Sequence, residues 1–374
     1  MKVVVDDKIP ALKDVLDPYA DVLYKEGKAI SKEDLVDADA LIVRTRTLCN
    51  KDLLEGTSVR MVATATIGTD HMDLAWLEQK GIHWCNAPGC NSGSVKQYIA
   101  SVLAHLILDG TVPSETTLGI VGVGMVGSKI ESLAKALGFK VLLNDPPRAR
   151  REGADKFCSL DYLLSNSDIV TFHTPLIRQG EDATFHLMDE SKLALLKKGA
   201  VVINSSRGEV CETRAMLKGL DNGQISRLVL DVWENEPNID SKLHNKVWIG
   251  TPHIAGYSVD GKSNGSTMTI HAIAREFGLP LQDWQPTSLP VPDYPFIHLD
   301  NNSEPAYLTA AKAILRTYDI LEDDKRLRED PEDFEKQRGS YPVRREFHIW
   351  EITPSRATRP ETIEMLMALG FRVK

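Results

Sequence analysis

The sequence predicts an α/β fold: a doubly wound parallel sheet, preceded by a smaller α/β series and followed by an α+β tail. Three observations point there. Short β-branched or aliphatic runs alternate with stretches long enough for a helix, as in sheets whose strands are buried on both faces and joined by crossovers. The runs form two series, separated by a proline-free stretch at residues 92–110. Beyond Gly278 the texture changes, because residues 279–296 hold five prolines in 18 positions, too many for regular helix or central strand. A chain of 374 residues has room for two to three domains of roughly 150 residues, and 42% hydrophobic with 26% charged residues is an ordinary globular composition.

In the first series, Val3–Val5, Ala40–Val43 and Met61–Thr66 read as strands. Residues 92–110 put Val95, Ile99, Val102, Leu103 and Leu106 on one helical face and form a long connecting helix. The second series starts with TLGIVGVG at Thr117 and continues with KVLLND, DIVTFH, AVVINS, RLVLDV and KVWIGTPH, six runs that suit a doubly wound sheet. In the tail, Leu308, Ala311, Leu315 and Tyr318 mark an amphipathic helix. From Leu321 to Glu346, 16 of 26 residues are charged, which reads as a solvated helix face. REFHIWEI reads as a strand that Arg344 and Arg345 directly precede, and a helix from Pro360 and a closing GFRVK complete the chain.

A formal net charge of −9 argues against nucleic acid or an anionic membrane as partner and favours a small molecule. Five scattered cysteines without a C-x-x-C pair fit reduced thiols and a cytoplasmic location. The N-terminal MKVVVDDKIPAL is broken by two aspartates and a proline, unlike a signal peptide or membrane anchor. His83, Cys85 and Cys90 lie close together, but no second ligand pair accompanies them, so no metal is expected.

GVGMVG is a G-x-G-x-x-G between an apolar run and a helical stretch, with Gly122, Gly124 and Gly127 as its glycines and Met125 and Val126 between the last two. In that context the glycines permit a tight turn and let a pyrophosphate approach a helix N-terminus, the Rossmann arrangement for a dinucleotide. The next strand run ends in Asp145, placed to accept from a ribose 2′-OH and to repel a 2′-phosphate, which favours NAD. Arg148, Arg150 and Arg151 are the opposing signal, but they follow Pro146 and Pro147, beyond the strand end.

Three further strand ends deliver Arg207 in NSSRGE, Glu236 in ENEP and His253 in TPHIAG toward the same crevice. Hydride transfer from a 2-hydroxy acid needs a cation for the carboxylate, a base for the hydroxyl proton and a group that tunes the base; Arg, His and Glu supply them. His71, His173 and His186 read as structural histidines.

These segments, in this order after a GxGxxG, resemble the signatures of the D-isomer-specific 2-hydroxyacid dehydrogenases. The resemblance implies a nucleotide-binding domain (92–255) inserted into a flavodoxin-like substrate domain (1–91 and 256–284), with 285–374 as a C-terminal dimerisation domain. It implies that Arg207 orients and polarises the substrate, that Glu236 pairs with His253, and that His253 is the acid/base. VDDKIP, ADALIVRTRT, TATIGTDHMD, NAPGCN, YDILEDD and SYPVRREF place the likeness in the branch that serves pyridoxal phosphate synthesis. The substrate is then a phosphorylated 2-hydroxy acid, with contacts from Thr45, Thr66 and Tyr257; cofactor contacts come from Asp145, Thr174, Asp231 and Gly256, and the molecule is a homodimer.

A phosphate needs cations beyond Arg207. Arg44 and Arg46 are candidates, although in an extended segment they would face away from Thr45. Arg344 and Arg345, reaching from the tail of one subunit to the phosphate of the other, are further candidates. Two alternatives stay open: another D-2-hydroxyacid dehydrogenase, acting on phosphoglycerate or an unphosphorylated acid, and an NAD-sensing binding protein of corepressor type.

Overall fold

Val3, Val4 and Val5 are enclosed on both faces of the strand they form, because apolar residues from two different layers meet them. This strand is β1 (Lys2–Asp6), followed by β2 (Asp21–Lys25), β3 (Ala40–Val43), β4 (Met61–Thr64) and β5 (His83–Cys85). All pairings are parallel and the order is β2-β1-β3-β4-β5, the flavodoxin-like arrangement. The computed structural model describes residues 1–300 and 304–374, and the chain divides into two compact units. The first unit comprises Met1–Asn91 and Tyr257–Pro290. Its helix Val259–Phe277 packs Ile270 and Ile273 against Val3, Val5, Ile42 and Ala63, while Val4, Leu41, Val43, Val62 and Leu77 fill the opposite layer.

The second unit comprises Ser92–Gly256 and Val291–Lys374. Its strands β6 (Thr117–Val121), β7 (Lys140–Asn144), β8 (Ile169–Phe172), β9 (Ala200–Asn204), β10 (Ile225–Leu230) and β11 (Ile249–Gly250) form one parallel sheet in the order β11-β10-β9-β8-β6-β7. The chain runs from β6 to β7 on one side and then returns to β8 on the other. That reversal, between β6 and β8, is where such sheets bind ligands beyond their carboxyl ends.

The connecting helix is Ser92–Leu108, with Val95, Ile99, Val102, Leu103 and Leu106 buried as the periodicity requires. Its polar first turns meet the tail. Gln97 Nε2 donates to Arg345 O at 2.9 Å and to Thr317 Oγ1 at 3.2 Å, Ser94 Oγ donates to Glu346 Oε1 at 3.1 Å, and Lys96 Nζ donates to Leu369 O at 2.8 Å. The tail carries helices Ala306–Thr317, Ile320–Glu329 and Pro360–Leu369 and a parallel sheet of β12 (Phe296–His298), β13 (Glu351–Thr353) and β14 (Arg372–Val373).

Two expectations about the tail are corrected. REFHIWEI is not one strand: Phe347–Ile349 is a 3₁₀ turn, closed by Trp350 N–H donating to Phe347 O at 3.0 Å, and β13 starts only at Glu351. The turn brings the Phe347 ring 4.7 Å from that of Phe371. Nor is the charged run a solvated face throughout, because Asp323, Asp324, Arg344 and Arg345 are 2%, 8%, 4% and 5% exposed. Among the described residues no helix is long and apolar enough to cross a membrane.

Candidate active site

β6 ends at Val121, and the chain turns at Gly122, whose φ of +85° is a left-handed value. A Cβ on Gly127 would lie 2.0 Å from Gly122 O, so this glycine lets the helix Met125–Leu137 start directly against the turn. Gly124 is its N-cap, and a Cβ there would meet nothing within 4 Å. Met125 is exposed and Val126 follows it in the first turn. The turn is a cradle of backbone N–H groups at the N-terminus of this 13-residue helix, open where a pyrophosphate would approach.

Asp145 caps the helix Pro146–Glu152: its Oδ1 accepts from Arg148 N at 3.0 Å, and its Oδ2 accepts from Val123 N at 2.8 Å, which ties it to the glycine turn. The three arginines after it are paired with acids. Arg148 and Arg151 bond Glu152, and Arg150 bonds Asp182 and Glu181. Thr174 lies just past β8, and its Oγ1 is buried with no hydrogen-bond partner among the described residues; Ser205 Oγ, past β9, is in the same state. Orphaned buried hydroxyls beside a glycine cradle and a carboxylate fit a bound dinucleotide. Ser205 was not singled out by sequence, though its place in NSSRGE beside Arg207 was the available signal.

The loop after β9 carries Arg207, whose Nη1 donates to Ser206 O at 2.8 Å. The loop packs on the one after β10 so closely that a Cβ on Gly208 would lie 2.0 Å from Trp233 O. In that second loop, Glu236 Oε1 accepts from Trp233 N at 2.8 Å, and Oε2 lies 2.7 Å from His253 Nδ1. Burial pushes the Glu236 carboxyl up. The His253 charge and hydrogen bond, the Trp233 N–H and the Arg338 charge outweigh this and hold it below the usual carboxylate range. An ionised Glu236 accepts the Nδ1–H of His253, which leaves Nε2 as the nitrogen able to take a substrate proton.

His253 itself has φ +57°, uncommon for a non-glycine residue. Asp231, 1% exposed, braces the segment: Oδ1 accepts from Thr251 Oγ1 and Ile254 N, both at 2.7 Å, and Oδ2 from Ala255 N at 2.9 Å. Tyr98 OH, 2.8 Å from Thr251 Oγ1, extends this network, which sequence reasoning did not foresee because the two residues are 153 positions apart. Gly256 closes the segment and is the last residue of the second unit's first stretch, Ser92–Gly256.

In the first unit the chain turns at Thr45–Arg46 after β3, and Thr66 follows β4, the neighbouring strand. Thr45 is exposed, and Arg44 is held by buried Asp6 through Nε at 3.0 Å and Nη2 at 3.1 Å. The turn removes the alternation that would have set Arg44 and Arg46 against Thr45. Thr66 Oγ1 is 2.8 Å from Thr64 Oγ1, which in turn is 3.1 Å from Nε2 of buried His71. Tyr257 precedes the helix Val259–Phe277, with Lys262 Nζ 4.5 Å from its ring centre.

Arg344 and Arg345 are both buried, and Arg344 Nη2 donates to Ile254 O at 3.2 Å and to Ala255 O at 2.6 Å, so the Arg344 fork is engaged by the backbone of its own chain.

Residues 97–255 match the D-isomer specific 2-hydroxyacid dehydrogenase NAD binding domain, and residues 288–370 match a domain of unknown function. The chain is 48% identical over 354 residues to the erythronate-4-phosphate dehydrogenase of Bacteroides thetaiotaomicron, covering 94% of this chain and 99% of that protein. It is 41% identical over 375 residues to the erythronate-4-phosphate dehydrogenase of Klebsiella pneumoniae, covering 99% and 98%. The D-lactate dehydrogenase of Aquifex aeolicus, solved with NAD and lactic acid, superposes with a TM-score of 0.61 at 24% identity over 74% of this chain and 96% of that one, which shows the shared fold. The chain belongs to the D-isomer-specific 2-hydroxyacid dehydrogenases, NAD-dependent oxidoreductases acting on a CH–OH group, on the erythronate-4-phosphate dehydrogenase branch.

Proposed function

We propose that the chain oxidises 4-phospho-D-erythronate at its C2 hydroxyl to (R)-3-hydroxy-2-oxo-4-phosphobutanoate, with NAD, on the route to pyridoxal 5′-phosphate. The observation that carries the reaction class is the 2.7 Å His253–Glu236 pair on loops adjoining Arg207. The substrate follows from relatives of that name that align over 94% to 99% of the chain. A bound nicotinamide would supply the acceptor for the C2 hydrogen and its electron pair. His253 Nε2 takes the hydroxyl proton, Glu236 stabilises the resulting imidazolium, and Arg207 grips the carboxylate and polarises the C2 oxygen. Thr45, Thr66 and Tyr257 contact the substrate, and Arg44 and Arg46 stand for its phosphate. Asp145, Thr174, Asp231 and Gly256 would hold NAD together with the glycine turn.

Initial rates with NAD on 4-phosphoerythronate, D-3-phosphoglycerate and D-lactate test the substrate. Preference for the first is expected; preference for either other acid reassigns the substrate, and no turnover on any favours a sensing protein. Exposed Val291, Tyr294, Phe296 and Val343 give the tail an apolar surface suited to a homodimer, which sedimentation equilibrium reads directly. A cytoplasmic location belongs to the same proposal.

Asp145→Ala is expected to raise kcat/KM for NADP relative to NAD by at least about tenfold, the equivalent of 1.4 kcal/mol, by removing the carboxylate that repels a 2′-phosphate. Parallel assays with the two cofactors check this. An unchanged ratio would mean that the paired Arg148 and Glu152, not Asp145, set the choice.

A further inference from the structure

The His253 segment is held from two sources, and only one of them belongs to the nucleotide-binding sequence. Asp231 takes the N–H groups of Ile254 and Ala255. Arg344, from the tail, takes the carbonyl oxygens of the same two residues. The residues that follow His253 therefore have donors and acceptors both fixed. On the approach to His253 the tail acts again. β11 has only two residues and stands at the sheet edge, where Gly250 N–H donates to Asp324 Oδ1 at 2.7 Å. Asp324 Oδ2 is bonded by Arg328 Nε at 2.7 Å, and Arg328 Nη2 donates to Val247 O at 2.9 Å.

Arg344 is an expensive way to fill a core. Among the described residues no carboxylate forms an ion pair with it: the Asp231 charge acts on it from beyond contact, and the rings of Tyr318 and Tyr341 lie 4.5 and 5.6 Å from the guanidinium carbon. Those rings are themselves fixed, since both phenols donate to Asp323 Oδ2 at 2.6 Å. Burying a charge without an ionic partner in contact is unfavourable, and an apolar side chain would fill the space at less cost. What an apolar residue lacks is donors for two carbonyls. A left-handed non-glycine residue such as His253 is itself unfavourable and persists only where its surroundings over-determine it.

We propose that the tail positions the acid/base: Arg344, with Asp324 and Arg328 behind it, holds the segment Val247–Ala255 so that His253 keeps its left-handed backbone and its alignment with Glu236. Arg344 is a positioning residue and touches no substrate. The proposal rests on His253 being the acid/base.

The test uses the full chain with Arg344→Met, Arg344→Lys, Lys96→Met and His253→Asn, reading kcat, KM for the hydroxy acid and thermal midpoint. Because small displacements of a catalytic group have large effects on rate, Arg344→Met is expected to lower kcat about 10- to 100-fold with KM within about threefold. Arg344→Lys, which keeps a donor but loses the fork, is expected to stand about three- to tenfold below the native kcat. Lys96→Met loosens the tail elsewhere, at Leu369, and is expected to lower the midpoint with kcat unchanged. Native kcat in Arg344→Met overturns the proposal, as does an equal kcat loss in Lys96→Met, which would show general loosening. If Arg344→Met does not fold, Arg344→Lys decides, and a native kcat there overturns the proposal. An active His253→Asn removes the acid/base reading instead, whereas an inactive one beside a fully active Arg344→Met overturns the positioning alone.

Discussion

Replacing His253 by asparagine is expected to lower kcat for the hydroxy acid by about 100- to 10,000-fold, the range over which a positioned general base contributes. NAD affinity should fall far less than kcat, because the glycine turn, Asp145 and Thr174 lie on other loops and only Gly256 shares the His253 segment. Glu236→Gln is expected to fall in the same range for a different reason. Trp233 N–H donates to Glu236 Oε1, and a glutamine keeps that bond only by directing its amide nitrogen at His253 Nδ1. The amide then donates where the carboxylate accepted. His253 must carry its proton on Nε2, and that nitrogen can no longer take one from the substrate hydroxyl. Initial rates of NADH formation measure both variants. A Glu236→Gln rate within tenfold of native would remove the tautomer from the mechanism and leave Glu236 as a packing group for Trp233.

The parts of this site that could be read in the sequence are those whose chemistry is local. Gly122, Gly124 and Gly127 sit within six residues between a strand and a helix, so their spacing carries its own geometry. Arg207, Glu236 and His253 each end a strand run, and a parallel sheet gathers strand ends whatever the loops do. β2 and β5 escaped because DVLYK and HWC are partly exposed edge strands without the continuous apolar run that marked β1, β3 and β4. Asp324 and Arg344 escaped for a stronger reason. Their partners, Gly250 and Ala255, lie 74 and 89 residues away, and a charge in a run of charges has no local sign that it is buried. The same blindness produced the expected strand at REFHIWEI, where Glu346 and Phe347 turn toward partners at Ser94 and Phe371 that no periodicity records.

Gly127→Ala is expected to abolish useful NAD binding and to destabilise the second unit together, whereas Gly124→Ala is expected to separate the two effects. At Gly127 the added carbon would lie 2.0 Å from Gly122 O and 2.9 Å from Gly122 C, so the obstacle is backbone and cannot rotate away. Either the turn moves, taking with it the N–H groups offered to a pyrophosphate, or the helix Met125–Leu137 moves, and Ile130, Leu133, Ala134 and Leu137 lose their packing. Overpacking of this kind is unfavourable by about 1–3 kcal/mol, and a hundredfold loss of NAD affinity corresponds to about 2.7 kcal/mol. At Gly124, φ is −73° and nothing lies within 4 Å of an added Cβ, so the chain itself accepts alanine. The carbon would instead stand where the pyrophosphate must approach the helix N-terminus. Thermal unfolding and NADH fluorescence titration of both variants read the difference: a native midpoint with weakened binding for Gly124→Ala, and both quantities lowered for Gly127→Ala. Native binding in Gly124→Ala would place the pyrophosphate elsewhere along the turn, because in this geometry no protein atom competes with the ligand for that space.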